Sequence, residues 1–273
     1  MARVIAHPAQ PASYLLGRLG SVLPTHEQLM RSEVIWLGLV GYLILAKILS
    51  ETLVPIGFRG SDQQELFDWS NVRLFGALGL IGIWCGRATG FPEAWAAHVS
   101  NKQRLLLPAA IGLALGAIET VIDTLTAGTK ALAVVTGQPS FNIDFPGSLL
   151  AYSGGAIQVE VLYRLFSLPF LLWLISTVVL RGRGQRLALW VLGALAAGFE
   201  PVGQGVFLFL GGGGVLTPLM LASYLVTALP SNVLAVILFR RYGLLAPLAL
   251  RWGEYLIWHI LYGNFLYVAV FGS

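Results

Sequence analysis

Long apolar runs alternate with short polar links along this chain, the runs falling at about 34–56, 74–92, 105–127, 147–180, 187–210, 214–238 and 243–271. A helix needs roughly 20 residues to cross a hydrocarbon layer about 30 Å thick, and most of these runs have that length. Backbone N–H and C=O groups cannot go unpaired in lipid, so the runs are expected to be helices rather than open strands. The fold class predicted is all-α: a polytopic membrane bundle of seven or eight transmembrane helices. The count has two values because 147–180 is long for one crossing and short for two, and Pro169 lies where a helix should kink or break. The last run carries the same ambiguity at Gly263-Asn264. Residues 1–33 form a polar lead-in and 34–273 a single helical domain; no internal repeat stands out.

Composition agrees with that pattern. Of 273 residues, 56% are hydrophobic and 11% charged, and the mean hydropathy is +0.76, outside the range of soluble domains. The net charge of +4 is informative chiefly through where the basic residues lie, because they accumulate on the cytoplasmic side of a membrane. RGRGQR at 181–186 and Arg240-Arg241 are separated by two runs and therefore share one face. Lys102 and Arg104 join them if 147–180 crosses once, and the N-terminus is then cytoplasmic too, with the acidic link of Asp62, Glu65 and Asp68 outside. An integral, multi-pass location in a bacterial-type inner membrane is the expectation. The arginines come in short separated groups rather than on one aromatic-lined face, so nucleic acid is not an expected partner. Cys85 is the single cysteine and has no intrachain disulfide partner. The lead-in contains Pro8, Pro11, Pro24, Arg18 and Arg31 and no apolar core of the kind a cleavable signal needs.

Polar residues inside the runs carry the candidate chemistry. An ionisable group at a helix centre costs roughly 2.5–3.5 kcal/mol on insertion, so such groups face the bundle interior and find partners. The third run holds Glu119 and Asp123, the fourth Gln158, Glu160 and Arg164, the fifth Glu200 and Gln204, and the last Arg251, Glu254 and His259. Glu119 and Asp123, Glu160 and Arg164, Glu200 and Gln204, and Arg251 and Tyr255 are each four residues apart, so each pair projects from one helix face. Bland readings stand beside the functional ones. Glu160 and Arg164 can be an intrahelical ion pair, His259 a core or interfacial histidine bonded to a neighbour, and Glu119 with Asp123 a solvated mouth. Lys47 and Glu51 read as a snorkelling pair at a helix end.

Three stretches in the order found here resemble the motifs of the CAAX-protease and bacteriocin-processing (CPBP) family of intramembrane proteases. VEVLYRLF is similar to that family's EExxxR motif, AAGFEPVGQG to its FxxxH segment, and YGLLAPLALRWGEYLIWH to the segment that ends in His followed by Asn or Asp. The resemblance covers roughly residues 105–265 and implies a bundle whose motif residues meet at one site. Carried over by position, Glu160 and Arg164 match the second Glu and the Arg, while Val159 stands where the family has the presumed catalytic base. Phe199 matches, but Gly203 replaces a His, and Arg251 and Tyr255 occupy the later His and Asn/Asp positions.

Two readings follow from that pattern. In one, the family's hydrolytic set is lost and the chain acts by binding, as a subunit or adaptor whose partners are membrane lipid and a membrane protein or peptide. Arg164, Gln204, Arg251 and Glu254 are then structural or ion-pairing residues, Arg251 being equally suited to donate to an oxyanion. In the other, Glu160, Glu200 and His259 are relocated catalytic residues of an active CPBP-type peptidase. Zinc is the metal those three would hold if they converge. A transporter or proton relay ranks third, since buried acids suit it but no internal repeat supports it.

Overall fold

The computed structural model describes residues 26–54, 56, 68–136, 143–211 and 218–271, without the side chains of 26–31, 132–133, 135–136, 204–211 and 218–224. These residues are almost entirely helical, with no strand among them. The helices are α1 (His26–Thr52), α2 (Trp69–Thr89), α3 (Lys102–Thr126), the short α4 (Gly128–Thr136), α5 (Gly147–Val179), α6 (Gln185–Gly211), α7 (Pro218–Tyr242) and α8 (245–271). Five stretches are long and apolar enough to cross a membrane: Ser32–Thr52, Lys102–Thr126, Gly147–Val179, Gln185–Gly203 and Leu225–Tyr242. Helices α2 and α8 are of similar length but carry Arg73 and Arg87, and Arg251, Glu254 and His259, respectively. Large apolar side chains point outward, Leu125 being 80% and Phe199 69% exposed, whereas Glu160 and Arg164 are fully buried. That inversion of the soluble pattern is the signature of a multi-pass membrane protein.

One end of the bundle is basic. The Gln185 side chain at the start of α6 donates to the Thr89 carbonyl at the end of α2 (2.9 Å), and Arg240 at the end of α7 donates to the Gly90 carbonyl. Ser32 near the start of α1 bonds the Glu93 carboxylate, and Arg87 pairs with Glu33 (2.8 Å) and Glu93 (2.7 Å). RGRGQR, Arg240-Arg241 and the N-terminal part of α1 therefore share one end, as the charge pattern predicts. Turn chemistry marks both ends. Asp68 caps α2 by accepting from Ser70 N at 3.1 Å, and its hydrogen bonds with Ser70 hold its carboxyl below the usual range. Gly243 has a φ of 79°, and a Cβ there would lie 2.8 Å from the Glu93 carbonyl, so only glycine fits the turn into α8.

The breaks expected at Pro169 and at Gly263-Asn264 do not occur. Helix α5 is continuous, and its turns widen to i→i+5 hydrogen bonding over Val161–Ser167, immediately before Pro169, and again over Trp173–Val179. A wider turn makes room for the proline ring against the carbonyl of the preceding turn, so the missing N–H is absorbed without a break. The same device, Lys102–Leu106, precedes Pro108 in α3. In α8 wide turns cover Leu256–Leu266, and the Asn264 amide donates to the Ile260 carbonyl (3.1 Å) while its oxygen accepts from Phe145 N (2.8 Å). Pro201 likewise lies inside an unbroken α6.

Small residues let α3 and α8 touch backbone to backbone. A Cβ on Gly112 would lie 1.9 Å from the Leu250 carbonyl oxygen, one on Gly116 2.6 Å from that of Glu254, and one on Gly253 2.5 Å from that of Ala109. Gly112 and Gly116 form a GxxxG pair, and in lipid such close approach supplies the van der Waals packing that hydrophobic exclusion cannot. This crossing, with α7 alongside, sets the depth at which α8 presents Arg251 and Glu254.

Candidate functional site

Four charged side chains from three helices meet in the middle of the bundle. Glu160 and Arg164 come from α5, Glu200 from α6 and Arg251 from α8, and all four are buried. The Arg251 Nε donates to Glu160 Oε1 at 2.5 Å. Its two terminal nitrogens reach both oxygens of Glu200, Nη1 to Oε1 at 2.9 Å and Nη2 to Oε2 at 3.1 Å. Arg164 Nη1 donates to Glu200 Oε2 at 2.5 Å. The ring closes where Arg164 Nε faces Glu160 Oε2 at 3.6 Å, an ion-pair distance beyond hydrogen bonding. Negative and positive groups alternate around it, and two carboxylates balance two guanidiniums.

The i,i+4 pair that marks this site in the sequence is thus its weakest side; the short contacts all run between helices. A self-contained Glu160–Arg164 pair is not what forms. The α5 side chains are spent tying α5 to α6 and α8.

Asn232 on α7 brings in a fourth helix. Its Oδ1 accepts from Arg164 Nη2 and, at 3.3 Å, from Arg251 Nη2, while its Nδ2 donates to the Ala228 carbonyl at 2.9 Å and so fixes which end of the amide faces the arginines. The Tyr255 hydroxyl accepts from Arg251 Nη1 at 3.3 Å. Around Arg251 this leaves every guanidinium nitrogen with a partner, the condition for holding such a group away from water.

A second polar layer lies beside the ring. Glu254 accepts from Ser231 Oγ at 2.5 Å, and the Glu119 carboxyl of α3 lies beside it. Asp123, expected at a solvated mouth with Glu119, is instead buried: it accepts from the Tyr262 hydroxyl at 2.5 Å and from Thr129 N at 2.6 Å. The reason is the tight turn at Ala127, which folds α4 back so that its first amides meet the Asp123 carboxylate.

His259 does not join the carboxylates. Its ring stacks on Tyr152 with centroids 4.0 Å apart and meets Tyr255 edge-on at 4.7 Å, and its Nδ1 has no hydrogen-bond partner. The zinc set of Glu160, Glu200 and His259 therefore does not fit this geometry: the two carboxylates are engaged by arginine, and the imidazole is held in an aromatic stack. Among the described residues no group of three or more His, Cys, Asp or Glu side chains is placed to hold a metal ion. A cation would also face two fixed guanidiniums. The Gln204 side chain lies outside the described residues. Gly203, which occupies the position of a family histidine, is exposed, and a Cβ there would meet no atom within 4 Å.

Asn232, Ser231 and Thr227 are polar members of the site that the reading of the sequence passes over. The signal was available, since PSN at 230–232 interrupts an apolar run just as Glu200-Pro201 does. The GxxxG pair in α3 was equally legible and equally passed over. Comparison with protein-family models, curated proteins and solved structures finds no match to this chain.

Proposed function

We propose that this chain is a multi-pass membrane protein related in fold to the CPBP intramembrane proteases, and that it acts by binding a membrane protein or peptide rather than by hydrolysis. One observation carries the reading: the two carboxylates best placed to activate water are each paired with both arginines in a closed, charge-balanced ring. A general base needs an oxygen open to the water it activates; here three of the four carboxylate oxygens meet guanidinium nitrogens at 3.1 Å or less, and the fourth, Glu160 Oε2, is buried facing Arg164 Nε at 3.6 Å. The ring's work is then architectural, locking α5, α6, α7 and α8 in one arrangement that a partner can recognise. Seven traverses are the reading of the span count, with α2 and α8 added to the five most apolar stretches, and the basic end and N-terminus in the cytoplasm.

The test is metal content and peptidase activity of the purified, detergent-solubilised protein. No stoichiometric zinc and no cleavage of a fluorogenic peptide or prenylated-peptide substrate is the expected outcome. Zinc at one per chain that disappears in Glu160→Gln or His259→Ala, or hydrolysis lost with the same changes, would overturn the reading in favour of an active peptidase. A proton relay has one specific observation in its favour, the neighbouring Glu119 and Glu254 carboxyls beside the ring. Proton flux in liposomes that is abolished by Glu119→Gln would promote it.

A further inference from the structure

The basic end holds a cleft of about 370 Å³ between the end of α2, Leu172 in the last third of α5, the start of α6 and the end of α7. Its wall is apolar, with Leu172, Leu189 and Trp190, and its rim is cationic and polar, with Arg186, Arg240 and Gln185. Trp190 is 53% exposed. Trp84, also exposed, and Trp173 form an edge-on pair at 5.1 Å on the adjoining ends of α2 and α5. Tryptophans gathered within two turns of the helix ends mark the level where hydrocarbon meets headgroups.

Charge at this end is unbalanced. Glu33 and Glu93 are both taken by Arg87. Among the described residues Arg181, Arg183, Arg186 and Arg241 have no acidic partner, in contrast to the arginines of the buried ring. Arg240 is positioned rather than free: it donates to the Gly90 carbonyl and lies 5.1 Å over the Phe91 ring, so its head is held at the rim.

We propose that this cleft binds one anionic glycerophospholipid from the leaflet at the basic end, its phosphate between Arg186 and Arg240 and an acyl chain against the exposed face of Trp190, which the buried Leu172 and Leu189 back from the core. A guanidinium pair suits a phosphate diester because each can donate two parallel hydrogen bonds to it, and basic pockets between transmembrane helices are a recognised setting for acidic headgroups. The apolar wall directly below the cations selects a lipid over a soluble anion. The inference is independent of whether the ring is catalytic; it requires only that the bundle spans a membrane.

The test uses the full chain in nanodiscs of phosphatidylcholine doped with phosphatidylglycerol brominated on its acyl chains, which quenches nearby tryptophan fluorescence. The quenching attributable to the site is the part lost in Trp190→Phe. That part should exceed the quenching by brominated phosphatidylcholine and should titrate about fivefold more weakly in Arg186→Gln, the effect of one juxtamembrane charge. Arg186→Lys should also weaken it, because the charge remains but the forked donor is lost. Arg186 is exposed and without an acidic partner, so its variants fold; Arg240→Gln is reserved as a second variant, with its fold checked by gel filtration. Equal Trp190 quenching by the two lipids would overturn the proposal, as would an unchanged titration in Arg186→Gln. So would displacement of the lipid by millimolar inorganic phosphate, which would make the cleft a site for a soluble anion.

Discussion

The buried ring and the basic end contain the same side chain used in opposite ways. At the ring, Arg164 and Arg251 are at or near zero exposure and are balanced by Glu160 and Glu200. At the end, Arg181, Arg183, Arg186 and Arg241 lie in the open without acids to meet them. The difference follows from solvent. Removing a charge from water costs several kcal/mol and must be offset by partners in good geometry, whereas at the headgroup level water and lipid phosphates supply the counter-charge. An arginine in the middle of this bundle therefore belongs to the protein's own structure, and one at the end is available to something else.

Mutations should separate the two regions sharply. The largest effect is expected for Arg251→Leu, which strands Glu160 and Glu200 together with only Arg164; such a change costs about 3–5 kcal/mol and should appear as loss of the monodisperse peak on gel filtration or a large drop in unfolding midpoint. Gly112→Ala comes next. With a Cβ 1.9 Å from the Leu250 carbonyl, it must push α3 from α8 and misplace Arg251, at a cost of about 1–3 kcal/mol or more, measured by denaturant titration in detergent. Tyr262→Phe removes one hydrogen bond to the Asp123 carboxylate and should cost about 1.5 kcal/mol by the same titration. Arg186→Gln, at the basic end, should leave stability within about 0.5 kcal/mol of the parent. A destabilisation there as large as that of Arg251→Leu would erase the distinction between the regions.

The sequence makes the ring legible in part, and the reason is periodicity. Glu160 and Arg164 in an apolar run, and Glu200 and Arg251 in two others, can be picked out because ionisable groups in lipid-length segments must face inward. Which of them pair cannot be read that way. The register between helices is set by close contacts such as Gly112 with Leu250 and Gly82, whose Cβ would lie 2.2 Å from the Leu165 carbonyl, and these depend on three-dimensional packing. His259 illustrates the limit: it lies two turns beyond Arg251 on the same helix, yet the aromatic stack with Tyr152 takes it away from the carboxylates. The sharing of one end was legible because basic residues mark it: the start of α1, the end of α2, the start of α6 and the end of α7 meet there. Continuity through Pro169 was not, because a local widening of the helix absorbs the proline without leaving a mark in composition.

The most direct test of the account is a double-mutant cycle on Glu160 and Arg251, using Glu160→Gln, Arg251→Gln and the double variant, with unfolding free energy in detergent as the readout. If the two are neighbours in a closed ring, each single change leaves a buried charge unmatched and the double change relieves both, so the coupling should be about 2 kcal/mol or more. Single effects that add to within about 0.5 kcal/mol would mean that the two side chains do not share a site, and the ring would not exist.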